Sequence, residues 1–137
     1  MNEILTKIGQ TNNTATANAF AVLERVLETT IDMLGDRRYD VTNDCRTIGE
    51  VRCKMDAGEP VLVGARDGGE LAYVFFHNEE RLGVKQLRAW NEVYAPHRVI
   101  IVSCEGPTAF TKKEADQHHT NVQFFTFRQL CVNITKH

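Results

Sequence analysis

The chain has 137 residues, enough for one domain with one core. Lysine and arginine number 16 against 18 aspartates and glutamates, a net charge of −2, which excludes a generally basic nucleic-acid coat but not a local basic patch. Hydrophobic residues make up 42% and charged residues 25%, the balance of an ordinary globular domain, and no apolar run approaches the roughly 20 residues of a membrane span.

Residues 10–18, QTNNTATAN, are polar and low in complexity, so 1–18 read as a flexible lead and 19–137 as the domain. From Ala19 the apolar residues Phe20, Leu23, Val26, Leu27, Ile31 and Leu34 recur at three and four. This predicts a helix that stops at Gly35. Tyr39 and Val41 form a short extended piece. Thr42 or Asn43 is placed to cap a second helix through Ile48, Val51 and Met55, which ends by Gly58.

The middle of the chain changes period. Val61–Ala65 and Leu71–Phe76 flank Asp67-Gly68-Gly69, a hairpin signal. Val84–Tyr94 is helical and ends at Pro96, and Val99–Val102 is a β-branched run suited to a strand buried on both faces. Gly106-Pro107-Thr108 turns into a helix from Thr111 to about Gln117. Val122–Phe127 is a further strand, Arg128–Leu130 a helical turn, and Val132–Thr135 extended. The alternation predicts an α/β fold: a mixed central sheet of about four strands, flanked by helices. Leu27 and Ile101 are expected in its core.

Four chemistries are open to these residues. A hairpin followed by a helix is where restriction-type nucleases hold a hard cation, with an acid and a lysine two residues apart on the return strand. Asp67 and Glu70 supply acids, but Ala72 stands where the lysine is needed. His118 and His119 are adjacent and do not share a helix face, so zinc lacks its convergent ligands. Cys104 lies at a strand end, a position nucleophiles use, but Cys45, Cys53, Cys104 and Cys131 match no signature and read as mostly buried, reduced thiols. No metal, cofactor or catalytic residue is expected. Arg81, Lys85 and Arg88 recur on one helical face, and Lys112 and Lys113 open the next helix after a Gly-Pro turn. Together these form a basic face able to meet a few phosphates.

Several strings in order resemble one family. Arg38-Tyr39-x-Val41-Thr42-x-Asp44, Val74-Phe75-Phe76, Gly83-Val84-Lys85, Arg98–Val102, Gly106-x-Thr108 with Lys112, and Asn133-Ile134-Thr135-x-His137 are similar to the N-terminal jaw domain of the fifth, shared subunit of eukaryotic-type DNA-directed RNA polymerases. The resemblance covers about residues 19–137 and does not include that family's C-terminal assembly domain. It implies a restriction-endonuclease-like fold without nuclease residues. It also implies a non-catalytic polymerase subunit that contacts the largest subunit and other core subunits and approaches downstream duplex DNA. The location implied is the nucleus, or a viral factory or virion for a virus-encoded copy, with no membrane partner. Arg81, Lys85, Thr108 and Lys112 are the DNA-contact candidates. Glu80 and Ala109 stand where the family has prolines that approach DNA. A free-standing adaptor without DNA contact and a metal-dependent nuclease are the alternatives.

Overall fold

The computed structural model describes residues 9–77 and 81–130, with side chains from 21 onward. The elements are α1 (Gly9–Asp36), β1 (Asp40–Thr42), α2 (Ile48–Ala57), β2 (Leu62–Arg66), β3 (Glu70–His77), α3 (Val84–Tyr94), β4 (Arg98–Ser103), α4 (Ala109–His118) and β5 (Val122–Thr126). The fold is α/β. One mixed sheet runs in the order β1-β2-β3-β4-β5, antiparallel from β1 to β3 and parallel from β3 to β5. The fifth strand is the short piece around Val41, which pairs with Gly64.

Alternation along the strands divides the core between two faces. Ala72, Val74 and Phe76 of β3 and Ile100 and Val102 of β4 pack with Leu23, Val26 and Leu34 of α1 and Val51 of α2. Phe75, Val99 and Ile101 point the other way, onto Leu87 and Trp90 of α3 and Ala115 of α4. Phe75 stacks on Trp90 with ring centroids 4.3 Å apart, and the Trp90 indole N–H donates to Gly58 O at 3.0 Å. Central β4 is buried on both faces from Val99 to Ser103, as its unbroken β-branched run requires.

Several local readings are corrected. Helix α1 starts at Gly9, ten residues before Ala19. Ala15, Ala17, Ala19 and Ala21 interleave the polar residues there, and alanine is the strongest helix former. Gly35 does not stop α1. The helix closes at Arg38, in the left-handed region at φ 70°, where Arg38 N–H donates to Gly35 O and Tyr39 N–H to Leu34 O. Thr42 and Asn43 do not cap α2. Asn43 makes a local turn by accepting from Cys45 N–H, and Thr47 caps the helix by accepting from Glu50 N–H at 3.2 Å. Glu50 then reaches back to accept from Arg46 N–H at 2.9 Å, in the manner of a capping box. The helix ends where expected, at Gly58 with φ 72°.

Strand β5 stops at Thr126 rather than Phe127. Thr126 and Gln129 exchange side-chain-to-backbone bonds of 2.8 and 3.0 Å and open a helical turn over 127–130. Ile101 is fully buried, but Leu27 is only partly so, and Leu23, Val26 and Leu34 are the α1 residues seated in the core. Among the described residues the thiols are not mostly buried: Cys53 and Cys104 are exposed and Cys45 is partly covered, while Cys131 lies outside the described residues. The extended reading of Val132–Thr135 falls outside the described residues.

Candidate nucleic-acid interface

The C-terminal ends of β3 and β4 lie side by side, because parallel pairing carries His77 opposite Ser103. Backbone bonds tie the chain leaving each strand to the other. Cys104 N–H donates to His77 O at 3.1 Å, and Thr108 N–H to Leu82 O at 3.3 Å. Arg81, Lys85, Thr108 and Lys112 therefore sit in or just after two adjoining loops that feed α3 and α4.

Both helices present their first N–H groups to this edge, where the helix dipole adds positive potential. Gly83 begins α3 without a side-chain cap. Thr108 caps α4: its hydroxyl accepts from Thr111 N–H at 3.1 Å and shares a 2.7 Å bond with the buried Thr111 hydroxyl. Its hydroxyl is thus engaged within the chain. Ala109 is the exposed first residue of α4, and Glu80 lies outside the described residues.

Several of these cations already have carboxylate partners. Arg81 lies 3.5 Å from Glu105, and the Lys112 ammonium is 2.8 Å from Asp116 one helical turn on. Arg88 donates twice to Glu114, at 3.0 Å on each oxygen. Lys85 and Lys113 have no acidic partner among the described residues. Phe110 is 67% exposed in the first turn of α4, an apolar side chain that the sequence reading passed over.

Among the described residues Glu114 is the most perturbed acid. Hydrogen bonds from Arg88, then from His119, hold its carboxyl at about 2, well below the ordinary carboxylate range. His119 is only 15% exposed; its Nε2 lies 3.1 Å from Glu114 and its Nδ1 3.0 Å from Asn91 Nδ2. Asn91 Oδ1 accepts from Asn121 Nδ2 at 2.8 Å, and the same Nδ2 donates to His97 O at 2.9 Å. His118 is exposed. Among the described residues no three His, Cys, Asp or Glu side chains converge as a metal site.

The nuclease-like trio sits at the other end of the strands. Asp67 is exposed in the hairpin turn, and Ala72 is fully buried beside Gly64 on β2. Glu70 accepts a 2.7 Å bond from the Tyr39 hydroxyl and three bonds of 2.9–3.1 Å from Arg66. Those bonds, Tyr39 first and Arg66 next, lower its carboxyl below the usual range. The Arg66 guanidinium also lies 4.4 Å over the Tyr39 ring. Close approach of that ring favours glycine at 64, since a Cβ there would meet Tyr39 at 3.1 Å and the ring would have to give way. Arg37 and Arg98 complete the group, each donating to Gln123 Oε1 at 3.3 Å. Sequence spacing could not reveal this cluster, because Arg37 and Gln123 are 86 residues apart.

A groove of about 280 Å³ lies between the end of α2 and α3, lined by Arg52, Asp56, His77, Gln86 and Trp90 among others. It adjoins the paired-cation edge without including any of its four candidates. Among the described residues no helix is long and apolar enough to cross a membrane. No family model matches the chain, and no curated protein matches its sequence.

Proposed function

We propose that the chain is a non-catalytic module of a DNA-directed RNA polymerase that contacts the largest subunit and lies beside downstream duplex DNA. The observation that carries this reading is the Thr108-to-Leu82 backbone bond, which joins the two loops corresponding to the family's DNA-approaching positions. The resembling strings also fall on fold-bearing elements. Val74-Phe75-Phe76 is the buried half of β3, Gly83-Val84-Lys85 opens α3, and Arg98–Val102 is β4. Contact with phosphates from this edge would be weak and without sequence preference, because it is backbone positioning. Isolated affinity is expected near the weak end of non-specific binding, about 10⁻⁴ M. An assembled polymerase would supply the effective concentration.

The test has two stages. Co-purification with the largest subunit and other core subunits is expected, and no stable complex in their presence would remove the reading. In the assembled enzyme, Lys85→Glu with Lys112→Glu should loosen downstream DNA and flatten its salt dependence. Unchanged elongation-complex stability across a salt series would rule out this edge as the DNA side.

A second reading, an adaptor that binds polymerase or a transcription factor without touching DNA, is favoured by a specific observation. Arg81 and Lys112 already face carboxylates, and Phe110 stands exposed beside them. A metal-dependent nuclease has less support: Glu70 is taken up by Tyr39 and Arg66, and no lysine stands at position 72. Magnesium-dependent nicking of plasmid DNA would revive it.

A further inference from the structure

The strand end opposite the proposed DNA edge gathers three arginines, of which Arg66 and Arg98 lie beside the Glu70 carboxylate and Arg37 reaches Gln123. Arg37 comes from the turn after α1, Arg66 from the end of β2 and Arg98 from the start of β4. Arg66 is saturated. It holds Glu70 through Nε and Nη2, lies over Tyr39, and donates from Nη1 to Arg37 O at 2.9 Å. Glu70 is occupied in turn by Arg66 and the Tyr39 hydroxyl.

The other two arginines are different. Arg37 and Arg98 both point at Gln123 Oε1, a neutral oxygen, over long bonds of 3.3 Å. Arg98 keeps only a long ion pair with Glu70, at 3.8 Å and outside hydrogen-bond reach, and Arg37 pairs with no acid among the described residues. Asp36, Asp40 and Asp67 lie in the neighbouring turns, yet none forms an ion pair with these arginines among the described residues. Each guanidinium carries five N–H donors in a planar fork. Two such forks converging on one uncharged acceptor leave donors unspent and like charges together, and an oxyanion relieves both. Phe125 lies beneath Arg37, 5.8 Å from ring centroid to guanidinium carbon, and helps hold it there. A groove of about 270 Å³ opens beside Arg98, lined by Glu70, Pro96, His97 and Asn121, with room for whatever the anion is attached to.

We propose that Arg37 and Arg98 form a binding site for a phosphate group. Arg66 and Glu70 are its scaffold rather than its ligands, and the remaining N–H donors of the two planar forks suit a tetrahedral oxyanion. The phosphate has two possible carriers, a free phosphomonoester or the backbone of a nucleic acid. The site lies at the far end of the strands from Lys85 and Lys112, so it stands whether or not the polymerase reading holds.

The experiment follows the arginine Nε–Hε resonances of the full chain by NMR during titration with inorganic phosphate, adenosine monophosphate or a short DNA duplex. Saturable shifts at Arg37 and Arg98, with Arg88 unmoved, are expected. Tighter binding of the monophosphate than of the duplex identifies a free phosphomonoester. Tighter binding of the duplex, with a salt slope that falls by about two in Arg37→Gln/Arg98→Gln, identifies backbone contact. That double variant should weaken the preferred probe about tenfold or more, and Arg37→Lys, which keeps the charge but loses the fork, should weaken it in part. Lys85→Glu/Lys112→Glu should leave these shifts in place, which separates this site from the opposite edge. No saturable shift at Arg37 and Arg98 with any probe, or equal shifts at Arg88, overturns the proposal. The wild-type titration decides this even where the double variant folds poorly.

Discussion

The two ends of the central strands carry cations under different terms. At the C-terminal ends of β3 and β4, Arg81, Arg88 and Lys112 each face a carboxylate of their own, Glu105, Glu114 and Asp116. At the N-terminal ends, Arg66 and Arg98 share Glu70, while Arg37 reaches only the neutral Gln123 oxygen. One-to-one pairing cancels most of the field of Arg81, Arg88 and Lys112 and leaves Lys85 and Lys113 to carry it, whereas three arginines near one acid leave a net positive site. Counting lysines and arginines along a helix face therefore does not by itself rank the two ends. What matters is which cations lack a private counter-charge, and that is decided by pairing across the fold.

The largest effect comes from striking the strand that serves both ends. Ile101 is fully buried between Phe75, Trp90 and Ala115 in one cluster, and Ile101→Ala should cost about 2–5 kcal/mol by leaving a cavity. Chemical denaturation reads this directly, and a wild-type midpoint would mean that β4 is not the common support. A smaller effect is confined to the arginine end. Gly64→Ala pushes a methyl against a Tyr39 ring that Glu70 and Arg66 hold in place, so the ring has little room to give. A loss of about 1–3 kcal/mol is expected, as for overpacking elsewhere. An unchanged midpoint in that variant would show that Tyr39 is free to shift and that the arginine scaffold is loose.

The smallest effect belongs to the paired-cation end and is read against pH. Glu114 is held at about 2 in the folded chain, against an ordinary value of 4.5, by Arg88 first and His119 second. A carboxyl depressed on folding stabilises fully above its unfolded pKa, and that contribution is lost as pH falls through 4.5 towards about 2. Glu114→Gln should therefore lower the thermal midpoint at pH 7, with the gap to wild type closing as pH falls. Arg88 is largely solvent-exposed, which keeps the effect modest. A gap that stays constant down to pH 2 would assign the loss to packing rather than to charge.

The order of elements was legible because the hydrophobic period changes with each one. Helix α3 was read with both ends right, since Gly83 and Pro96 bracket an apolar stripe. Local stops were harder to read. Gly35 looks like a terminator, but the chain turns at Arg38 because Leu34 and Tyr39 then pack together in the core. Thr42, Asn43 and Thr47 are all able to cap α2, and Thr47 wins because Glu50 stands three residues on. At the candidate interface, the i, i+4 spacing of Arg81 and Lys85 was visible. Asp116, four residues after Lys112, was visible too, but Glu105 and Glu114 were not, because each reaches its arginine from beyond β4. The arginine cluster was invisible for the same reason, being built from a turn and three strands.

The amide chain beside α4 assigns more than its bond lengths suggest. The His97 carbonyl is a main-chain acceptor with no alternative role, so Asn121 must turn its NH₂ group towards it. The same NH₂ group meets Asn91 Oδ1, which leaves the Asn91 NH₂ facing His119 Nδ1. A nitrogen that faces a donor accepts, which leaves Nε2, aimed at Glu114, as the nitrogen that carries the ring hydrogen. Direction thus passes through two side-chain amides, and a backbone oxygen next to the start of β4 settles the tautomer of a histidine at the end of α4.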